Sequence, residues 1–248
     1  MRLSSVLAVV LLLLPGVASA QVERDDTQWL VFGSIGFDPP LSGSVTSAVT
    51  GTLSGAPLVL GNVSFSEVYG ALARWQFGGG YRIDNRSEVL AMFAYASGGG
   101  SRALVGVTPG APYVGEFESI GEKSFELGYR HHLGALGPFR PYVGGWGGFV
   151  RTNAISATLT LPGSSDPPIN LPVLDASAAG VVAGGGGLLL PLTSRLALSV
   201  DANLRWRTSA NSANVLVGTG LDNVGDGSAR WSLPVVFGVV LHVGPERF

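Results

Sequence analysis

Three histidines, His131, His132 and His242, are the only imidazoles in this 248-residue chain, and it has no cysteine. Nucleophilic acyl transfer by a serine needs a base within hydrogen-bond reach of the hydroxyl. The long connecting stretches at 39–63, 98–115, 155–174 and 208–228 carry serines and threonines but no histidine. No catalytic residue is assigned, and an enzyme is not expected. His132 and His242 lie far apart in sequence without the local spacing of a metal site. Gly144-Gly145-Trp146-Gly147-Gly148 and the run Gly184 to Gly187 neither open an amphipathic helix nor lead into Lys-Ser/Thr, so they are not phosphate loops. Asp222-Asn223 and Asp226-Gly227 miss the spacing of a helix-loop-helix calcium site. No metal and no cofactor are expected. A formal charge of −2 gives no electrostatic footprint for a nucleic-acid partner. The remaining polar chemistry is a set of charges at alternate positions: Arg74, Glu122, Glu126, Asp201 and Arg205, accompanied by Gln76, Ser124 and Asn203. Both signs are present, as buried charges require.

The elements that would position these groups follow a period of two. Leu196, Leu198, Val200, Ala202, Leu204 and Trp206 alternate with Ala197, Ser199, Asp201, Asn203, Arg205 and Arg207. Trp231, Leu233, Val235, Phe237, Val239, Leu241 and Val243 form a second unbroken apolar face, opposed by Arg230, Ser232, Gly238 and His242. Strands are expected near 28–38, 64–83, 88–97, 116–131, 140–154, 175–191, 195–207 and 229–243. Short turns alternate with long loops between them. Only 13% of residues are charged, 37 are glycine and mean hydropathy is +0.36, yet past the leader no run is apolar and long enough for a helical span. Such a chain fits an all-β, closed, antiparallel up-and-down transmembrane barrel. Eight strands are expected, or ten if the long second strand or the first loop hides another hairpin.

The first twenty residues read as a cleaved export signal: Met1-Arg2, the apolar run Val6 to Leu14, then Ala18-Ser19-Ala20. Residues 21–248 would form the barrel domain in a bacterial outer membrane, short turns towards the periplasm and long loops outside. Trp29, Tyr81, Tyr129 and Tyr142 should mark the periplasmic rim, and Tyr69, Tyr95, Trp206 and Trp231 the outer one, because amphipathic rings prefer the membrane–water boundary. Lys123 falls on the lipid side of this register.

The phrases Gly80-Tyr81-Arg82-Ile83 leading to Val89–Tyr95, Gly128-Tyr129-Arg130 leading to Arg140-Pro141-Tyr142-Val143-Gly144-Gly145, and Gly187-Leu188-Leu189-Leu190 leading through Pro191 to Arg195 carry a resemblance. They look like the eight-stranded outer-membrane barrels grouped around the OmpA membrane domain, OmpX and OmpW. The resemblance implies the fold, with outer-membrane lipid around it. Phe248 is similar to the terminal aromatic read by the barrel assembly machinery, although Gly244-Pro245-Glu246-Arg247 interrupts the alternation before it.

An eight-stranded interior is just wide enough for side chains to meet across it. Arg74 is expected to pair with Glu122, Glu126 or Asp201, as an internal plug or, alternatively, an ion gate. Phe32, Leu72, Met92 and Phe149 are the candidates for an apolar pocket, which in OmpW-type barrels would imply a path for small hydrophobic solutes. The loops at 39–63 and 155–174 are nearly free of charge and suit contact with a surface partner rather than charge-steered capture. Three functions follow: a structural or surface-interaction barrel, a hydrophobic-solute channel and, least supported, a lipid-modifying enzyme.

Overall fold

The computed structural model describes residues 29–243, apart from 54–55, 109–110, 166, 212, 214–217 and 223. Eight strands make the wall: β1 (Trp29–Asp38), β2 (Leu72–Arg82), β3 (Ser87–Gly98), β4 (Ile120–His132), β5 (Arg140–Thr152), β6 (Ser177–Pro191), β7 (Leu196–Arg207) and β8 (Arg230–Ser232 continuing as Val235–Val243). Each pairs antiparallel with the next, and β8 pairs with both β7 and β1, so the sheet has no free edge. Followed one way round, Phe32 leads through Gly78, Met92, Glu126, Gly148 and Val181 to Arg207. Followed the other way, it leads through Val240 to Ala197, ten residues from Arg207 on the same strand. That stagger tilts the strands and brings side chains from distant registers to one height.

Period-two alternation sorts the wall. On β7, Ala197, Ser199, Asp201, Arg205 and Arg207 are buried inside, while Leu198, Val200 and Leu204 are exposed outside. Pro234, without an N–H, interrupts β8; its carbonyl still accepts from Asn203 N at 3.1 Å, and the alternation of Trp231, Phe237 and Val239 outward survives the break.

The expected strand at 64–83 starts later than the sequence suggests. Phe65–Tyr69 is a short helix, α1, capped by Ser64, whose hydroxyl accepts from Glu67 N. The first loop does hide a hairpin, Val49–Leu53 with Ala56–Leu60, but it joins a second sheet rather than the wall. In that sheet it pairs with the second-loop hairpin (Arg102–Thr108 with Ala111–Phe117), which pairs in turn with the third (Ile155–Thr160 with Ile169–Leu174). The fourth loop bridges the two ends of this sheet. Thr52 N and Ser47 N donate to Thr219 O and Val224 O on one side, and Ala213 N donates to Val173 O on the other.

The four loops thus build a cap with its own core, including Val45, Leu60, Phe65, Val105, Phe117, Ile155, Leu159, Val173 and Leu221. Leu72, Ala96 and Ile120 at the outer ends of the wall strands belong to the same cluster, so cap and barrel share one packed interface. The low charge of the loops has this cause: alternate residues face a core.

Candidate functional site

Four arginines and three carboxylates occupy the outer half of the lumen. Glu122 on β4 accepts from Arg207 Nη1 at 2.5 Å and from Arg230 Nη2, with Arg205 Nη1 at 3.8 Å. Four residues further along β4, Glu126 meets Arg205 Nη2 at 3.2 Å and Arg74 Nη2 at 3.6 Å, and accepts from Ser124 Oγ at 2.7 Å. Arg74 also donates to Asp38 at 3.0 Å and to Gln76 at 3.2 Å. Strand β4 is not a neighbour of β7 or β8 in the sheet, so these pairs cross the lumen. All seven charged groups are buried. Above them, Arg230 stacks on the Phe65 ring at 4.3 Å, beneath the apolar cap.

Asp201 does not join this network. It accepts from the hydroxyl of Tyr142, and Arg130 lies 4.3 Å over the Tyr142 ring. Next comes an apolar layer of Leu30, Leu90, Leu189, Ala197 and Val240, with Phe32 and Trp146 packed on it. Glu88 closes the short-turn side, held by Arg82 at 3.3 Å, Arg130 at 3.4 Å and His132 Nε2 at 3.2 Å. His132 and His242, distant in sequence, share a bowl of about 360 Å³ at the short-turn end with Arg82, Arg86 and Arg140. Among the described residues no three metal-type ligands cluster.

Within the lumen, the void beside Arg74, Asp201 and Trp146 measures about 20 Å³, and one under α1 about 10 Å³. Each is about the room of a single water. Of the four expected pocket residues, Phe32 and Met92 line the first void, Leu72 packs into the cap interface, and Phe149 points outward at 58% exposure. An apolar pocket of solute size is not formed by them.

Phe149 and Tyr142 are displaced for one reason: the register expected for β5 is shifted by one residue. Tyr142, Trp146, Val150 and Thr152 point inward; Val143, Phe149 and Arg151 point outward. The stretch Pro141-Tyr142-Val143-Gly144-Gly145-Trp146-Gly147-Gly148-Phe149 has too few side chains to alternate, so a one-residue slip leaves no trace in the sequence. Tyr142 is therefore not a rim residue. Neither is Tyr69, which is buried in α1 and donates to Glu118 O at 3.1 Å.

At the short-turn end Trp29 and Tyr81 meet edge to face at 5.0 Å, and Tyr129, half exposed, donates to Ser87 Oγ. At the outer end Trp206 lies 6.4 Å from Trp231, and Tyr95 lies 5.7 Å from Trp75. Between the two rings of aromatics the wall exposes Val31, Ile35, Phe77, Phe125, Leu127, Leu198, Phe237 and Leu241. A continuous apolar band of this kind is costly in water and at home in lipid. No described helix is long and apolar enough to cross a membrane; a closed sheet satisfies every backbone group without one. The chain is a closed eight-stranded β-barrel whose outer surface suits a membrane.

No family model matches the chain, and a search of curated proteins returns no match. Among solved structures, this barrel aligns with neisserial surface protein A (NspA) at 12% identity over 87% of this chain and 97% of that one, with a TM-score of 0.46. Outer-membrane protein OprG of Pseudomonas aeruginosa aligns at 13% identity over 89% and 98%, with a TM-score of 0.44. AlkL, determined by solid-state NMR in lipid bilayers, aligns at 13% identity over 95% of this chain and 99% of that one, with a TM-score of 0.40.

Asp38, Glu88, Arg130, Arg207 and Arg230 belong to the interior networks but were not among the expected charges. Their signal is inward parity, for Arg130 and Arg207 on the strands of the expected charges and for Asp38, Glu88 and Arg230 on β1, β3 and β8. The leader and Phe248 lie outside the described residues.

Proposed function

We propose that this barrel is a non-conducting surface protein whose working part is the cap. The observation that carries the reading is the sealed lumen. Two salt-bridge networks and an apolar layer fill the barrel, and the apolar cluster beneath the cap closes its outer end, leaving voids of about 20 and 10 Å³. The cap's outward face supports it further. Val59 and Val107, paired across strands, are 46% and 48% exposed, and Leu104 is 59% exposed. The Arg102–Glu116 pair at 2.9 Å lies on the same hairpin, so the face mixes apolar and charged groups as a protein-contact surface does.

Planar-bilayer recording of the refolded protein tests this. Silent bilayers are expected at all voltages that leave the membrane intact, with and without an added alkane or terpene. Steady conductance, or block of a steady conductance by such a compound, would favour the solute-path reading instead.

A further inference from the structure

Among the described residues of the eight wall strands, Lys123 and Arg151 are the only Lys, Arg, Asp or Glu that point outward. They stand directly opposite one another on β4 and β5. Lys123 is also the only lysine in the chain. Like charges facing each other across a strand pair repel, and the apolar wall around them offers no screening. Neither side chain makes an ion pair or hydrogen bond with another described residue, so among the described residues the repulsion is uncompensated.

The pair sits at the outer rim. Lys123 is in register with Tyr95, and Arg151 is one residue from the end of β5. Both line an open groove of about 890 Å³ together with Ser97, Ser119, Asn153 and Tyr95. Two residues nearer the membrane centre, on the same strands, Phe125 and Phe149 form an outward aromatic pair with centroids 6.0 Å apart. Read from outside inward, the groove offers hydroxyl and amide groups, then two cations, then two exposed rings. That order matches a lipid with a sugar head, phosphates at the headgroup boundary and acyl chains below.

We propose that Lys123 and Arg151 form a site for a phosphorylated glycolipid of the outer leaflet. The two cations grip its phosphate oxygens by charge-assisted hydrogen bonds, and Phe125 and Phe149 carry its acyl chains. The proposal rests on the membrane-barrel assignment and is independent of the contact role of the cap.

Native mass spectrometry of the protein in neutral detergent tests it, with bis-phosphorylated lipid A, dephosphorylated lipid A, phosphatidylglycerol and inorganic phosphate as probes. Lipid A should bind most tightly, and the dephosphorylated form should bind weakly. A surface cation contributes about fivefold in affinity for an anionic lipid, so Lys123→Gln/Arg151→Gln should weaken lipid A binding about thirtyfold. Lys123→Arg should retain it, and heat-modifiable gel mobility should show that each variant is folded. If the double variant fails to fold, Lys123→Gln alone should lose about fivefold. Equal binding by folded variants and wild type overturns the site. Phosphatidylglycerol binding as tightly as lipid A, or phosphate binding where lipid A does not, overturns the glycolipid assignment.

Discussion

Glu122 shows how little freedom a side chain has inside a barrel this narrow. Three arginines converge on it from two strands across the lumen, and no bulk water is at hand to replace it. Glu122→Ala should leave those cations uncompensated and cost about 3–5 kcal/mol, read from denaturant unfolding in lipid vesicles. Arg74→Ala should fall in the same range: Glu126 keeps Arg205 as a partner, but buried Asp38 loses the arginine it pairs with. Gly128 tests packing rather than charge. A Cβ there would lie 2.1 Å from the Trp146 ring, so Gly128→Ala must push the indole into the layer formed by Leu90 and Leu189. An overpacking cost of about 1–3 kcal/mol is expected in the same unfolding assay. The sequence made Arg74, Glu126 and Arg205 visible as inward charges, because each lies on a strand with clear alternation. It could not assign their partners: pairing across the lumen depends on the stagger, and stagger is set by register around all eight strands.

At the level of elements, legibility follows side-chain content. Strands β7 and β8 carry a bulky apolar residue at nearly every second position, and both faces are as the alternation indicates. Strand β5 carries glycine where such residues would stand, and its faces were exchanged. The loops hid their structure differently. Ile155-Ser156-Ala157-Thr158-Leu159-Thr160 alternates as clearly as any wall strand, with Ile155, Ala157 and Leu159 buried. Its partners, however, come from other loops, which no single segment reveals. The third hairpin completes the edge of the cap sheet against Ala111–Phe117. Replacing residues 155–174 by a short Gly-Ser turn should therefore open the cap and leave the wall intact. Hydrogen exchange should rise at Glu118, whose N–H donates to Ser156 O at 3.0 Å in the intact cap, while heat-modifiable mobility persists. Loss of that mobility would mean that cap and wall fold as one unit.

For the molecule as a whole, the wall and the cap are two sheets with one shared cluster at their junction, in which Leu72, Ala96 and Ile120 meet Phe65 and Tyr69. The wall excludes lipid from a charged lumen, and the cap excludes solvent from the same lumen. The cap also bears on how such a protein changes over generations. Surface loops are ordinarily where sequence drifts most freely. Here half of each hairpin is held by packing, so variation under pressure from antibodies or phage is confined to the outward set, such as Val59, Arg102, Leu104, Glu116, Thr158 and Thr160. Diversity among descendants of this sequence should therefore fall in stripes of alternate residues along the hairpins, and insertions should gather at their tips.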